Sequence, residues 1–326
     1  MDTTKGSARA LLSRGLATLA LTACASGGVL AQAWPSKPVH LILPFAPGGP
    51  VDGMARAWGP KFGEKIGQPV ILDNRVGAAG NIGAEFVQKQ PGDGYNLLYV
   101  VPGILTNPFF FKGSPDPREF SAITQLFNSP LVLMVNSSFP AKNMAEVMTH
   151  IKNNPGKVSC ASSGALPTVG CELLRSYAKT EMIMVLYKGN GPALQAVMSG
   201  EVNMVFDAAN TALAQSKSGR VRAIATAAPK RGINAFPDLP AVQETLPDFY
   251  FEGWHGMMGP PTMPRELVQR VQRELNATIN TPEVSKFVAS QGFDIVGSAP
   301  EAFAERIKNE FARFGKVLNE AGIKPE

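Results

Sequence analysis

The chain has few of the residues that catalysis or metal binding requires. Only three histidines occur among its 326 residues, and they are His40, His150 and His255. None of them falls in a His-Glu-x-x-His pattern or stands beside a candidate nucleophile. No phosphate-binding Walker loop is present either. We therefore expect no enzymatic activity, no metal site and no cofactor.

Cysteine is equally scarce, with three in the whole sequence. Cys160 and Cys171 lack the Cys-x-x-Cys spacing that is typical of a metal site. In an oxidising compartment they could form a disulfide, provided that their Cα atoms lie within about 7 Å of each other. Otherwise they would pack as two small buried side chains, and both possibilities stay open at this point.

Long apolar runs and strong charge are also missing. Charged residues make up 17% of the chain, the formal net charge is +5, and no concentrated basic stripe indicates nucleic-acid binding. Beyond the N-terminal region no apolar run reaches the ~18 residues that a transmembrane helix needs. The hydrophobic content of 44% is enough for a large core, and the length predicts about two domains.

The N-terminal region has the layout of a secretory signal peptide. Arg9 and Arg14 precede a mostly apolar stretch at residues 15–30, which ends in Ala31-Gln32-Ala33, a small-x-small cleavage pattern. We therefore predict that residues 1–33 are removed and that the mature protein is periplasmic. Two alternatives stay open, because Leu21-Thr22-Ala23-Cys24 resembles a lipobox that would lipidate Cys24, and the segment could also remain as an anchor.

After residue 33, short apolar strands alternate with helical patterns, which is typical of parallel sheets covered by helices. The predicted strands occupy residues 39–45, 69–73, 96–101, 131–135, 157–161, 183–187, 202–206 and 221–226. Helices are predicted at 169–177, 192–198, 242–246, 264–280 and 300–321. Asp52 is expected to cap the first helix, Pro60 to kink or split it, and Asn143 with Glu146 to form a capping box.

We interpret this order as an α/β fold of two lobes with a ligand cleft between them. Residues 34–133 would form the first part of lobe 1, residues 134–250 lobe 2, and residues 251–326 the return to lobe 1 with the C-terminal helices. A chain that leaves a lobe and later returns connects the lobes twice, which suits a hinged clamshell.

The first candidate ligand site is a glycine-rich strand-to-helix turn, since helix N-termini and the carboxyl ends of strands bind anions. Its candidate residues are Phe45, Ala46, Gly48, Gly49 and Asp52. The alternative is a tight turn without a ligand. The stretch 77–83, which contains Asn81, lacks the Gly-x-Gly-x-x-Gly spacing. It would be either an anion-binding nest or a turn that packs a helix on a strand.

The second lobe offers further strand ends with polar residues. Ser162, Ser163 and Gly164, with Thr168 nearby, could donate hydrogen bonds to a carboxylate or form an ordinary turn. They do not match the Gly-x-Ser-x-Gly pattern of esterases. The other candidates are Tyr187, Lys188, Gly191, Pro192 and Asp207. Lys188 could be a solvated loop charge, and Asp207 could cap the next helix instead of contacting ligand.

Several motifs resemble the periplasmic receptors of tripartite tricarboxylate transporters, often called Bug-type proteins. The similarity extends from Trp34 to Glu326. It is carried by Trp34-Pro35-Ser36-Lys37-Pro38, by Leu43-Pro44-Phe45-Ala46-Pro47-Gly48-Gly49 with Asp52 and Ala55-Arg56, by Gly67-Gln68-Pro69-Val70, by Asp73-Asn74-Arg75, by Gly80-Asn81-Ile82-Gly83, by Asp93-Gly94-Tyr95, by Tyr187-Lys188-Gly189, by Pro192-Ala193, by Phe206-Asp207 and by Phe236-Pro237-Asp238-Leu239-Pro240.

The resemblance implies a two-lobe Venus-flytrap fold of the periplasmic-binding-protein type II class. It further implies that the turn from Phe45 to Asp52 and the segment from Tyr187 to Pro192 hold a small organic acid, with help from main-chain groups. The implied partners are a large and a small membrane subunit, with no ATP site and a monomeric receptor. Two departures from the family pattern are the loop 165–169, where a His-Leu pair is usual, and Gln195, where Asp is common.

The sequence therefore predicts a solute receptor that binds a small di- or tricarboxylate or a related acid. The alternative is a periplasmic sensor that presents its closed form to a signalling partner, because the same motifs would serve both roles.

Overall fold

The computed structural model describes residues 34–320 and 322–325. The predicted signal peptide, its cleavage site and Cys24 lie outside these residues. The chain divides into two compact units, residues 1–36 and 37–326. In the first unit, the described residues 34–36 belong to no helix or strand. The second unit contains all the elements below, and no helix in the described ranges is long and apolar enough to cross a membrane.

Strands and helices alternate through most of the second unit. The strands are β1 Val39–Leu43, β2 Val70–Asn74, β3 Asn96–Val100, β4 Ser121–Ser129, β5 Leu131–Asn136, β6 Ser159–Ser162, β7 Ile183–Leu186, β8 Met204–Ala208, β9 Val221–Thr226, β10 Gly253–Gly259 and β11 Asp294–Ile295. The α-helices are α1 Pro50–Ile66, α2 Asn81–Gln88, α3 Gly103–Phe110, α4 Met144–Asn153, α5 Ala165–Ala178, α6 Asn190–Ser199, α7 Ala209–Ser216, α8 Arg265–Ile279, α9 Pro282–Ser290 and α10 Pro300–Glu320. Short 3₁₀ turns occupy Ala78–Gly80 and Val242–Glu244.

The strands form two separate sheets, which confirms the predicted α/β fold of two lobes. The first sheet has the order β11-β4-β10-β3-β1-β2. In it β1 runs parallel to β2 and β3, while β10 runs antiparallel to β3 and β4. The second sheet has the order β7-β6-β8-β5-β9. There β6 runs parallel to β7 and β8, and β5 runs antiparallel to β8 and β9.

The chain crosses between the sheets twice, and the two crossings run side by side. The first crossing is Pro130, the single residue between β4 and β5. The second enters β10, where Gly253 pairs with Ser129. Since β5 lies in the second sheet over its whole length, the first crossing comes slightly before the expected boundary after residue 133. Adjacent crossings of this kind are the usual geometry of a hinge.

Two local predictions about helices had different outcomes. The Asn143 cap is confirmed, because Asn143 Oδ1 accepts from the Glu146 N–H at 2.9 Å. The reciprocal bond differs from that of a capping box, since the Glu146 carboxylate accepts from the N–H of the preceding residue, Lys142, at 2.7 Å. Of the two outcomes expected at Pro60, the split is wrong, since α1 runs through it without interruption, and the kink stays a prediction. A proline removes one backbone hydrogen bond, and the fully buried Trp58 and Phe62 on either side hold the helix against its sheet.

A disulfide joins Cys160 on β6 to Cys171 on α5, with a Cα–Cα distance of 6.0 Å. Both residues are buried. The bond closes a short covalent loop around Ser162, Ser163, Gly164 and Thr168. It therefore ties the end of β6 to the helix that follows.

Replacing both cysteines (Cys160→Ala with Cys171→Ala) should lower the free energy of unfolding by about 2–3 kcal/mol. The reason is that the disulfide reduces the conformational entropy of the unfolded chain, and the unfolded double variant regains that entropy. Urea denaturation followed by circular dichroism measures this change. Dithiothreitol should destabilise the wild type and leave the double variant unaffected. Equal stability of the two proteins without reductant would show that the bond contributes nothing.

Candidate functional site

The parallel strands of the first sheet end at a common edge. The turns that follow β1, β2 and β3 lie there, as the carboxyl ends of parallel strands do in open α/β sheets. Together they line a small depression whose walls include Pro44, Phe45, Ala79, Gly80, Val101 and Ile104. This edge therefore brings together the two glycine-rich stretches that the sequence singled out.

Asp52 holds the first turn together through four hydrogen bonds. Its side chain is 1% exposed. Oδ2 accepts from the Gly48 N–H at 2.9 Å and from Arg56 Nε at 2.7 Å. Oδ1 accepts from Asn74 Nδ2 at 2.9 Å and from Arg56 at 3.1 Å. Asn74 Nδ2 also reaches the Phe45 carbonyl at 3.0 Å, so one carboxylate connects the turn, the helix and the neighbouring strand.

These donors explain the ionisation of Asp52. The hydrogen bonds from Arg56, from the Gly48 N–H and from Asn74, in this order of effect, hold the pKa of the Asp52 carboxyl well below its usual range. The expected role as helix cap is wrong, because Gly49 occupies the cap position and Asp52 is the third residue of α1. Its carboxylate has its acceptor sites filled from within the protein, so Asp52 shapes the turn and has little capacity left for a ligand.

The remaining residues of this turn differ in exposure. Ala46 and Gly48 are exposed, and Phe45 is half-buried. The Gly49 N–H donates to the Ala46 carbonyl at 3.3 Å, while the Gly48 N–H is taken by Asp52. In this conformation these two amides are therefore not free to bind a ligand carboxylate.

The second glycine-rich stretch packs directly on the first turn. A Cβ atom at Gly83 would lie 3.0 Å from Pro44 Cβ, and one at Gly80 would lie 3.2 Å from it, so side chains there would push the two turns apart. The Asn81 side chain is buried, accepts from Asn107 Nδ2 at 2.8 Å and donates to Ser114 Oγ at 2.7 Å. These contacts favour the interpretation as a packing turn that supports the edge.

The parallel strands of the second sheet end in another set of turns. Ser162 closes β6, and its hydroxyl bonds the Thr168 hydroxyl, which also donates to the Gly164 carbonyl at 2.8 Å. Ser163 follows, and its buried Oγ has no hydrogen-bond partner in the described part of the chain. Within this turn, Ser162 and Thr168 are paired with each other, and Ser163 retains a hydroxyl for an added group.

The segment after β7 is more open to solvent. The Tyr187 N–H donates to the Ser162 carbonyl at 2.8 Å, which fixes this turn beside the serine turn. The Tyr187 hydroxyl lies 3.5 Å from a Glu201 oxygen. Lys188, Gly191 and Pro192 are exposed at the start of α6.

The loop 165–169 and Gln195, which depart from the family pattern, both lie on helices of this lobe. Residues 165–169 form the first turn of α5, where Pro167 is tolerated because N–H groups of the first turn lack helical partners. Gln195 is exposed on α6, where exchanges of polar side chains usually have small effects.

Asp207 lies at the end of β8 and is 1% exposed. Its Oδ1 accepts from Asn190 Nδ2 and from the Ala208 N–H, both at 2.7 Å. No group among the described residues donates to Oδ2. Burial raises the pKa of the Asp207 carboxyl, and the two donors lower it by less. The alternative that Asp207 caps the next helix is wrong, because Ala208 is the cap residue of α7 and its side chain makes no capping hydrogen bond.

The three histidines do not meet. His255 is buried in the first sheet with Nδ1 2.6 Å from the Tyr99 hydroxyl, and burial lowers its pKa to about 3. His150 packs edge-on against Phe139 in the second lobe. Across residues 34–320 and 322–325, no group of three or more His, Cys, Asp or Glu side chains could hold a metal ion.

Comparison with known proteins identifies the family. The sequence profile of the tripartite tricarboxylate transporter family receptors (TctC) matches residues 54–323. The chain belongs to this receptor family. It is 28% identical to the periplasmic binding protein BugD, whose structure superposes with a TM-score of 0.71 over 90% of this chain and 100% of BugD. The Bug-type resemblance and the two-lobe periplasmic-binding-protein fold are thereby confirmed.

Two other structures of similar proteins contain small dicarboxylates. An R. palustris protein solved with adipate is 28% identical, with a TM-score of 0.74 over 90% of this chain and 100% of its own. MatC from Rhodopseudomonas palustris, solved with malate, is 26% identical, with a TM-score of 0.71 over 87% of this chain and 100% of its own.

Sequence reasoning missed the residues that hold the two buried aspartates in place at the strand ends of the two sheets. Arg56 and Asn74 appear in the family motifs. Arg56 lies four residues after Asp52 on one helix, a spacing that favours an ion pair, whereas no linear pattern shows that Asn74 bonds Asp52. Asn190 was within a candidate loop, and its bond to Asp207 joins positions 17 residues apart. The available signal was that polar residues follow successive parallel strands.

Asp52→Asn should lower the free energy of unfolding at neutral pH by about 1.5–3 kcal/mol, because hydrogen bonds to a charged acceptor are lost. Since folding lowers the pKa of Asp52 from its usual value of 3.8, its contribution is complete above that value and is lost as the pH falls below it. The difference between wild type and Asp52→Asn should therefore shrink between pH 5 and pH 2. Urea denaturation across this range measures it.

The matched control is Asp238→Asn, which removes an exposed carboxylate. It should follow the wild type at each pH. A difference between wild type and Asp52→Asn that stays constant from pH 5 to pH 2 would contradict the assigned role of the Asp52 charge.

Proposed function

We propose that this protein is a periplasmic receptor that binds a small dicarboxylate or related organic acid between its lobes. It delivers the acid, as a monomer, to the large and small membrane subunits of a tripartite tricarboxylate-type transporter. Residues 1–33 serve as the secretion signal in this proposal. Membership in a family of transporter receptors favours transport over sensing.

The observation that carries the proposal is the matching arrangement of the two lobes. Each sheet contains three parallel strands whose carboxyl ends lead into the candidate turns, and two adjacent crossings connect the sheets. In this arrangement the turns of both lobes would border one cleft, with the turn at 44–49 on one side and the turns at 162–164 and 187–192 on the other. A ligand that contacts both sides favours the closed form, because the open form offers it half of these contacts.

The groups at the two edges suit an anion that carries carboxylates. The starts of α1, α5 and α6 each follow a strand end, and helix N-termini carry partial positive charge. Ser163 offers a hydroxyl donor, and Lys188 offers an exposed positive charge at the rim. The similar proteins solved with adipate and malate support a dicarboxylate as the ligand class.

A thermal-shift screen of the secreted protein tests the ligand class. At 100 times its dissociation constant a ligand adds about 2.7 kcal/mol of stability, which raises the melting temperature by several degrees. Succinate, malate, adipate and citrate form the panel, and the corresponding neutral diamides are controls. We expect a shift with one or more acids and none with the diamides. No shift with any acid, for protein shown by native mass spectrometry to be free of ligand, would contradict the proposal.

Two neighbouring serines separate ligand contact from folding. Ser163→Ala should weaken binding of the acid about tenfold, because a hydrogen bond to a charged group contributes ~1.5 kcal/mol. It should not lower the melting temperature of the free protein, because the hydroxyl that is removed has no partner among the described residues. Ser162→Ala should instead lower the free energy of unfolding by about 1 kcal/mol, because it breaks the bond to Thr168. Isothermal titration calorimetry and urea denaturation measure the two effects. If Ser163→Ala binds as tightly as wild type, Ser163 is not part of the site.

A further inference from the structure

Two neighbouring strands of the second lobe end in polar groups that the protein leaves incomplete. Ser163 follows β6 and Asp207 lies at the end of β8. The Ser163 Oγ and the Asp207 Oδ2 are both buried and lack a hydrogen-bond partner in the described part of the chain. They are a donor and an acceptor, and neither satisfies the other.

The sheet register places these two residues at neighbouring strand ends. β6 and β8 are parallel neighbours, with Cys160 opposite Met204 and Ala161 opposite Val205. Two residues beyond Ala161 comes Ser163, and two residues beyond Val205 comes Asp207. Because side chains alternate along a strand, Asp207 lies on the same face as Val205, where the first residue of α6, Asn190, contacts it. Ser163 directly follows the last residue of β6, in the turn at the same end of the sheet.

The incomplete carboxylate of Asp207 contrasts with that of Asp52. Each side chain is about 1% exposed, but Asp52 receives donors on both oxygens. Among the described residues, Asp207 receives donors on Oδ1 alone. A buried acceptor without a donor costs free energy, and buried carboxylates are nearly always paired. A group that supplies a donor to Oδ2 would remove this cost.

We propose that the ligand supplies the missing donor. Asp207 Oδ2 accepts from an ammonium or hydroxyl group on the carbon next to a ligand carboxylate, and Ser163 Oγ donates to that carboxylate. An α-amino or α-hydroxy acid carries both groups close together and can therefore meet a donor and an acceptor at neighbouring strand ends. The preferred ligands are therefore amino- or hydroxy-substituted dicarboxylic acids, and this inference rests on the proposed function as a dicarboxylate receptor.

Matched series of acids test this preference with the wild-type protein. In each series the carbon chain is constant and the substituent is hydrogen, hydroxyl or ammonium. The four-carbon series is succinate, malate and aspartate, the five-carbon series is glutarate, 2-hydroxyglutarate and glutamate, and the six-carbon series is adipate, 2-hydroxyadipate and 2-aminoadipate. Calorimetry should show that a substituted acid binds about tenfold or more tightly than its unsubstituted parent in the series of the correct length.

Asp207→Asn converts the acceptor into a donor. The Asn190 side chain and the Ala208 N–H would keep the amide oxygen in the Oδ1 position, so the amide nitrogen would occupy the Oδ2 position. The variant should lose the preference for the ammonium acid by at least tenfold. It should bind the unsubstituted acid as well as wild type or better, because a negative charge near the ligand is gone. Asp238→Asn, which removes a distant exposed charge, should behave like wild type.

Each other result has a definite meaning. Wild type that binds the three acids of every series equally would overturn the inference and leave the receptor function intact. So would an Asp207→Asn variant that keeps the wild-type affinities, since Asp207 would then be a protonated donor or bound to water. Absence of binding by all nine acids would overturn the proposed function as well. The wild-type comparison decides the matter even if the variant fails to fold, which circular dichroism would reveal.

Discussion

The first lobe depends on the complete pairing of one buried carboxylate. Asp52 gathers the Gly48 N–H, Arg56 and Asn74, and these groups come from the turn, from the helix and from the neighbouring strand. An ionised carboxylate is stable in a buried position only with such donors. Glycine-rich chain can adopt many backbone conformations. The hydrogen bonds of Asp52 hold this turn in one of them. Since the Gly80–Gly83 turn packs on Pro44, this shape extends to the whole edge of the sheet.

A second constraint stiffens the first lobe beside the two crossings. Beside the crossings, Arg306 of α10 donates to Glu310 at 2.8 Å and to Gln125 of β4 at 3.0 Å. Glu310 in turn accepts from Trp254 of β10 at 2.8 Å. This buried network joins the strands next to both crossings to one helix. A hinge that must bend at Pro130 and near residue 253 gains from rigid neighbours, because the motion is then confined to few residues.

The buried aspartates of the two lobes differ in how completely they are hydrogen-bonded. This difference suits the roles that the two lobes have in the proposed binding cycle. A turn that must be ready before the ligand arrives is best completed by the protein itself, as Asp52 is. A carboxylate with an open oxygen, as in Asp207, is stabilised when a donor arrives. A bound ligand then adds a stabilising hydrogen bond at the second lobe, which the ligand-free protein does not have. Such a difference would favour closure around acids that carry the right donor.

The sequence by itself determined the class of fold, the order of most strands and helices, the family and the candidate turns, because hydrophobic alternation, capping residues and glycine-rich motifs are local signals. It missed α3, β4, α7, α9, β10 and β11. Three of these have no clear periodic pattern, because α3 contains a proline, β10 is buried over its whole length and β11 has two residues. Only the tertiary structure decided that Asp52 supports its turn and that Asp207 has an open oxygen. It also decided that Cys160 and Cys171 are joined and that Ser163, not Ser162, has a hydroxyl without a partner in the described part of the chain. Each of these facts depends on which partners the fold brings within hydrogen-bond or covalent distance, and such partners lie far apart in the sequence or on the other side of a turn, where no linear pattern shows them.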